Sequence, residues 1–302
     1  MSSVCHKKLI VITGPTASGK TSMAIALARW LGTEIVSADS RQVYKEMSIG
    51  TAKPTAEQLA EVKHHLVGHV SITENYNAGR YEKDALECLD RLFLRYDKVI
   101  LAGGTGLYIN ALCHGLDELP ESDLGIRQRL EDQLNNEGIV ALQDALLQAD
   151  PAYYQTVDLS NPVRLMRALE VCEISGKPYS SFRKGKRVNR DFNILKIGLE
   201  VPREELINRI NNRIDEMIRA GLLEEVISLL PYRRQNALNT VGYSELFDHL
   251  DGKTTLEDAI AKVKINTRRY AKRQMTWFRR DPEIVWLKPE FDLIRSYIEQ
   301  YW

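Results

Sequence analysis

Residues 9–32 read LIVITGPTASGKTSMAIALARWLG, and two changes of pattern inside that stretch decide the fold. Leu9 to Thr13 is a short apolar run with no polar alternation, the pattern of a strand buried on both faces. Gly14 to Lys20 is a loop of small residues. Thr21 to Leu31 then takes a helical period and stops at Gly32, a residue suited to a left-handed helix end. Strand, loop and helix follow one another with nothing between them.

The loop, Gly14-Pro15-Thr16-Ala17-Ser18-Gly19-Lys20-Thr21, fits the pattern G-x-x-x-x-G-K-[ST] in the strand-to-helix context that the pattern requires. A chain of this length matches it by chance roughly once in a hundred, so an ordinary glycine turn is a poor alternative. The loop's N–H groups and the helix N-terminus face an anion, Lys20 adds a full charge, and Thr21 can ligate magnesium. A phosphate or pyrophosphate site follows. Whether those phosphates belong to a nucleotide does not.

Further along, Glu34 to Ala38 reads as a second strand ending at Asp39, and Lys98 to Ala102 as a third ending in Gly103-Gly104-Thr105-Gly106 before the helical run LYINALCHG. Strands alternating with helices predict an α/β fold: a P-loop NTPase-like parallel sheet flanked by helices, with ligands at the carboxyl ends of the strands. An acid at the end of the second strand is placed for metal binding or proton abstraction, although a turn or helix-cap aspartate is the plainer reading of Asp39. The strand VILAGG delivers no acid. Its glycines permit close approach of backbone to ligand, or simply a tight turn, with Thr105 the one hydroxyl there.

From Leu116 to Arg190 the chain turns charged, helical and poor in strands, which predicts an inserted helical subdomain over 116–190 within a core of 1–115 and 191–302. Asn161-Pro162 reads as a helix start and Gly176 with Pro178 as its end; Leu165, Leu169 and Cys172 share one face, and Arg164 and Arg167 another. Ile194 to Glu200 (ILKIGLE) is expected to return to the sheet, and helical patterning dominates from Arg203 to Arg280.

Lys plus Arg and Asp plus Glu are both 41 among 302 residues, so a nucleic-acid partner would be held by local patches and not by overall charge. Two patches exist. Phe182 to Arg190 (FRKGKRVNR) carries five basic residues and Lys262 to Arg280 carries eight. In the second, Lys264, Arg268 and Lys272 recur every four residues and Val263, Tyr270 and Trp277 every seven, which predicts a basic face and an inward aromatic face. A solvated charged helix is the competing reading. Cys5, Cys88, Cys113 and Cys172 have no CxxC spacing, which argues against a zinc ribbon or a disulfide framework. His64, His65 and His69 lack a spaced third ligand type and read as polar packing. No run is long enough for a signal-peptide core or a membrane span. A soluble cytoplasmic protein is expected.

Six blocks in order, GPTASGKT, SADSRQVY, GGTGLY, NPVRLMRALE with SGKP, VGY and KRQMTWFR, resemble the bacterial tRNA dimethylallyltransferases, from about Lys8 to Trp286. The resemblance implies that the loop cradles the pyrophosphate of dimethylallyl diphosphate and that the acceptor is N6 of the adenosine immediately 3′ of the anticodon in tRNAs reading codons that begin with U. Carried over by position, Asp39 is the general base and Thr105 holds the reacting amine. Gly14, Thr16, Ala17, Ser18, Gly19, Lys20 and Thr21 hold pyrophosphate, with Thr21 on magnesium as the metal cofactor. Arg213 reaches the same group, with Arg209 one turn away as its rival.

For the anticodon stem-loop of tRNA the resemblance implies contacts from Asp39, Ser40, Arg41 and Gln42, from Thr105 and Arg127, and from Val163, Arg164, Leu165, Met166 and Arg167. Asn239, Thr240, Val241, Gly242, Tyr243 and Ser244 form a third stretch. Lys272, Arg273, Gln274, Met275, Thr276, Trp277, Phe278 and Arg279 form a fourth. Ser244 stands where some members have arginine, and Leu124 where some have proline. A monomer is expected, with no membrane partner. An adenylate isopentenyltransferase would use the same donor with a free nucleotide, but needs neither the insertion nor the basic faces. A P-loop kinase of a small metabolite predicts ATP turnover, and a non-catalytic RNA-binding protein leaves the loop and Asp39 unexplained.

Overall fold

The computed structural model describes residues 7–185 and 187–302; Cys5 and Lys186, the latter in the first basic patch, lie outside them. The chain divides into two compact units, residues 1–114 with 189–302 and residues 115–188. Among the described residues no helix is long and apolar enough to cross a membrane.

The first unit is built on six strands: β1 (Lys8–Thr13), β2 (Ile35–Ser37), β3 (His64–His65), β4 (Lys98–Ala102), β5 (Asn193–Leu199) and β6 (Ile284–Leu287). They lie in the order β3-β2-β4-β1-β5-β6, and every pairing is parallel. β1 therefore sits between β4 and β5, with Ile10 opposite Ile100 on one side and Leu195 on the other. Parallel strands buried on both faces read as unbroken apolar runs, which is why LIVIT and VILA lack alternation. Since all strands run one way, the segments after β1, β2 and β4 emerge at one edge.

The helices of this unit are α1 (Lys20–Leu31), α2 (Ala56–Glu61), α3 (Ala78–Leu92) and α4 (Gly106–His114) before the second unit begins. The second unit holds α5 (Leu124–Glu137), α6 (Ile139–Ala149), α7 (Pro151–Tyr154) and α8 (Pro162–Ser175). α9 (Arg203–Arg219), α10 (Leu222–Ser228), α11 (Tyr243–Leu250), α12 (Leu256–Phe278) and α13 (Phe291–Tyr301) complete the first. Leu9, Val11, Val99 and Leu101 point to the face covered by α3, α4, α10 and α11. Ile10, Ile12, Ile100 and Ile197 point to the opposite face, against Met23, Ile25 and Leu27 of α1 and Ile294 and Ile298 of α13. Helices on both faces are thus the observed layering.

β5 carries one polar side chain into this interior. Lys196 is buried, and its ammonium lies 2.7 Å from His114 Nε2, 2.7 Å from Asp281 and 2.9 Å from Glu283. Burial alone would push its pKa down, but the two carboxylates outweigh that and raise it. His114, Asp281 and Glu283 are close enough together to suggest a metal site, yet the Lys196 ammonium already supplies the cation.

Helix ends in the second unit follow their sequence signals. Asn161 caps α8 by accepting from Arg164 N, Pro162 opens it, and Gly176 ends it at φ +65°. Asp123 caps α5 in the same way, so Leu124 occupies the first helical position, where proline is common. Leu165 and Leu169 face Leu130, Leu142 and Leu146 in the core of the unit.

At the carboxyl edge of the sheet one close approach constrains everything nearby. A Cβ at Gly103 would lie 2.1 Å from the Ala38 carbonyl oxygen, so the ends of β2 and β4 meet only because residue 103 has no side chain. Gly103→Ala is expected to lower stability by about 1–3 kcal/mol, measured as a fall in the urea midpoint. An unchanged midpoint would show that the two strand ends separate freely.

Candidate active site and RNA-facing surface

The phosphate loop leaves β1 with Gly14 at φ +140° and enters α1 with Gly19 at φ +91°, while Ala17 takes φ +63° without being glycine. These turns leave the first N–H groups of α1 without intrahelical acceptors, the usual basis of an anion cradle. Among the described residues the buried Ser18 hydroxyl has no hydrogen-bond partner, and the Thr21 hydroxyl makes no hydrogen bond. The Lys20 ammonium rests on the Pro15 carbonyl at 2.6 Å. Burial and the nearby Arg213 guanidinium push its pKa down to about 7, against an opposing pull from Asp39.

Arg213 comes from α9 and lines a cavity of about 510 Å³ with Thr16, Ala17, Asp39, Ser40 and Tyr270. Burial lowers its pKa, with Asp39 working the other way. Its guanidinium has no hydrogen bond or ion pair among the described residues. Arg209, one turn earlier, is held by Glu205 at 2.5 Å, and its guanidinium lies near Gly19 of the loop. Of the two, Arg213 is the one in the cavity wall.

Asp39 follows β2. Its Oδ1 accepts from Arg41 N at 2.9 Å and Gln42 N at 3.3 Å, so the plainer reading of a turn-capping aspartate describes half of the carboxylate. Oδ2 has no hydrogen-bond partner among the described residues, and the residue lines the cavity. Thr105, after β4, is tied to the same turn: its Oγ1 accepts from Ser40 N at 2.9 Å and donates to Ser40 Oγ at 3.2 Å. The ends of β2 and β4 thus form one hydrogen-bonded rim.

Other side chains of this rim are spent on holding backbone. Arg41 donates to the carbonyls of Asn236, Ala237 and Asn239, and Gln42 to those of Thr51 and Ala52. Two carboxylates that sequence reasoning missed hold the backbone around the cavity, and Glu245 also lines it. Glu225 accepts from the N–H groups of Ser48, Ile49 and Gly50 and from the Tyr243 hydroxyl. Glu245 accepts from Gly242 N and Asn266. They fix the loop from Asn239 to Ser244, in which Asn239, Thr240, Val241, Gly242 and Ser244 line the cavity while Tyr243 is fully buried. No spacing in the sequence announces such a scaffold.

α12 departs from the expected pattern. Val263 is 3% exposed and packs on α9, but Tyr270 is 36% and Trp277 43% exposed, so the aromatic stripe is not an inward face. A seven-residue spacing drifts by about 20° per repeat on a straight helix. The drift carries Tyr270 into the cavity wall and Trp277 over Gly106, where an added Cβ would lie 2.2 Å from the indole. The basic face is also divided: Lys264 pairs with Asp215 at 2.6 Å, while Lys272 and Arg273 are exposed with no ion pair among the described residues. Lys272, Met275 and Arg279 line a second, larger cavity of about 840 Å³ with Pro15 and Arg268. Thr276 is exposed, and Gln274 and Phe278 are buried.

In the second unit, Val163 and Arg164 are exposed and Arg127 is half-buried. Leu165 and Met166 face the helical core, and Arg167 donates to Glu170, Ser122 and the Pro120 carbonyl. Of the α8 stretch, therefore, only Val163 and Arg164 present their side chains openly. The three histidines are packing groups, with His65 on Glu34 at 2.5 Å, His64 on the Val62 carbonyl and His69 against Tyr76.

A family model described as IPP transferase matches residues 42–281. The chain is 53% identical to a tRNA dimethylallyltransferase of Christiangramia forsetii over 284 residues, covering 94% of this chain and 93% of that one. It is 50% identical to tRNA dimethylallyltransferase 1 of Bacteroides thetaiotaomicron, over 93% and 92% of the two chains. Among solved structures it matches the tRNA isopentenylpyrophosphate transferase of Bacillus halodurans with a TM-score of 0.71 and 37% identity, covering 98% and 95%. A eukaryotic dimethylallyltransferase acting on tRNA matches with a TM-score of 0.79 and 29% identity, covering 94% of this chain and 74% of that one. A phosphate loop facing a carboxylate across one cavity, a family match over most of the chain and near-full-length relatives at half identity lead to one assignment: the chain belongs to the IPP transferase family.

Proposed function

We propose that this enzyme transfers a dimethylallyl group from dimethylallyl diphosphate to N6 of the adenosine immediately 3′ of the anticodon, in tRNAs reading codons that begin with U, and releases diphosphate. The observation that carries this reading is the single cavity in which the Asp39 carboxylate faces the phosphate loop and Arg213. A kinase acceptor site would serve as well for the loop alone. The cation from α9 and the base after β2 suit a reaction in which a diphosphate leaves and a weakly acidic amine attacks.

In this mechanism the N6 nitrogen forms a bond to C1 of the prenyl chain as the bond from C1 to the diphosphate oxygen breaks. The electron pair leaves with the diphosphate, and the N6 proton goes to Asp39 Oδ2. Thr105, held by Ser40, orients the amine. Lys20, Arg213 and the N-terminal N–H groups of α1 stabilise the charge growing on the leaving group. Magnesium suits the available donors, since the unpartnered Thr21 hydroxyl and diphosphate oxygens are hard oxygen ligands; bound there it would add positive charge at the leaving group.

The acceptor adenine must leave its stack to reach Asp39. Asn239, Thr240, Val241, Gly242, Ser244, Tyr270 and Arg273 line the cavity it would enter, and Lys272 and Arg273, without an ion pair among the described residues, offer charge to the RNA backbone. The 115–188 unit would add Arg127, Val163 and Arg164 to the tRNA contact. One chain contains the whole cavity, which supports a monomer as the working form. The free thiols of Cys88, Cys113 and Cys172 support a reducing, cytoplasmic setting.

Asp39→Asn keeps the Oδ1 cap on Arg41 and Gln42 but removes the base. It should lower kcat by about 10²–10⁴-fold with tRNA affinity unchanged in filter binding; wild-type turnover would remove Asp39 from the mechanism. The double variant Lys272→Ala and Arg273→Ala should weaken tRNA binding and reduce the slope of log K against log salt by about one to two. An unaltered slope would mean that this face is only solvated.

Lys20 supplies a third test. With its pKa near 7 in the free enzyme, it is mostly neutral at about pH 8, and an incoming diphosphate anion favours the protonated form. Donor binding without tRNA should then take up about one proton, measured calorimetrically in two buffers of different ionisation enthalpy, and donor affinity should fall as pH rises through 7. Lys20→Met should abolish the uptake. Uptake by that variant equal to wild type would assign the proton elsewhere.

A further inference from the structure

One buried side chain joins the two halves of this reaction and is left over by the mechanism. Gln274 lies on α12 with 7% of its surface exposed, between the outward-facing Arg273 and Trp277. Its Oε1 accepts from the Thr16 N–H of the phosphate loop at 2.8 Å, and its Nε2 donates to the Gly104 carbonyl after β4 at 2.8 Å. The orientation of the amide is forced, because Thr16 N–H can only donate and Gly104 C=O can only accept. A Cβ on Gly104 would stand 2.5 Å from that Nε2, so residue 104 leaves room for the bridge. No other uncharged side chain has a donor and an acceptor at the end of a stem of this length.

Thr16 therefore does not spend its N–H on an anion; the bond fixes where the loop stands. Gly104 precedes Thr105, which holds the Asp39 turn through Ser40. The donor loop and the acceptor rim come from different strands, and this amide spans them. We propose that Gln274 is a positioning residue, setting the distance between donor loop and acceptor rim from the same helix that presents Arg273 and Trp277 to the RNA. The proposal rests on the transfer reaction described above. A shift of about 1 Å between reacting groups costs on the order of 100-fold in rate, so a spacer of this kind acts on kcat and not on RNA affinity.

The test uses the full chain, dimethylallyl diphosphate and unmodified tRNA. Gln274→Met fills the same space without either bond and should lower kcat at saturating tRNA by about 10- to 100-fold, with the tRNA Kd unchanged. Gly104→Ala displaces the amide and should have a similar effect, and the double variant should be no worse than the more damaging single one. Gln274→Glu adds a signature that general loosening would not produce. As a carboxylate it sets an acceptor against the Gly104 carbonyl, but once protonated it regains a donor beside its acceptor, so its activity relative to wild type should recover as pH falls. Weaker tRNA binding with normal kcat, losses that multiply in the double variant, or a flat pH ratio for Gln274→Glu would each overturn the proposal. If Gln274→Met does not fold, the pH ratio decides alone. A wild-type enzyme that fails to prenylate tRNA would instead overturn the reading beneath it.

Discussion

Two basic side chains stand close enough for each to oppose the other's charge, and the candidate active site is organised around that conflict. Lys20 arrives from β1 and the phosphate loop, Arg213 from a helix nearly 200 residues later in the chain, and each is depressed in pKa by burial. Asp39 relieves part of the repulsion without meeting either at hydrogen-bonding distance. The free protein thus holds an unfavourable arrangement that, under the proposed function, a bound diphosphate would relieve. The sheet makes this sustainable, since its parallel strands deliver backbone turns to one edge while both faces are covered by apolar helices.

Around that centre the structure uses charged side chains mostly as backbone anchors. Arg41 holds three carbonyls, Glu225 holds three N–H groups and a phenol, and Glu245 holds the turn at Gly242, whose φ is +99°. Each compensates polar backbone that an irregular loop would otherwise bury unpaired. The wall of the cavity is irregular because it must present contacts from several elements, and it is firm because these groups leave few of its amides and carbonyls idle.

The central strands, the phosphate loop and the acid after β2 could be read from residue order, since each depends on local pattern: an apolar run, a glycine spacing, a strand end. β3 and β6 could not. The first is two residues long, and the second is a four-residue run, IVWL, whose place beside β5 is a tertiary fact. The α12 stripe misled for a geometric reason, because a repeat of seven only stays on one side of a helix that supercoils. Glu225, Glu245 and Gln274 were illegible as a scaffold because their partners lie in other parts of the chain. A glutamine inside a basic, aromatic stretch reads as one more RNA contact until its burial and its two backbone bonds are seen.

Lys196 has a consequence for recognition. Its buried ammonium grips Asp281 and Glu283 just beyond the end of α12, so the helix is moored to the central sheet a few residues after the surface that, under the proposed function, it offers to RNA. A moored surface yields little, and under the proposed function the deformation needed to expose the acceptor base falls on the nucleic acid. The work of opening an anticodon loop depends on how its own bases stack. Selection among tRNAs is then made partly by the compliance of the RNA, a quantity that no side chain has to read.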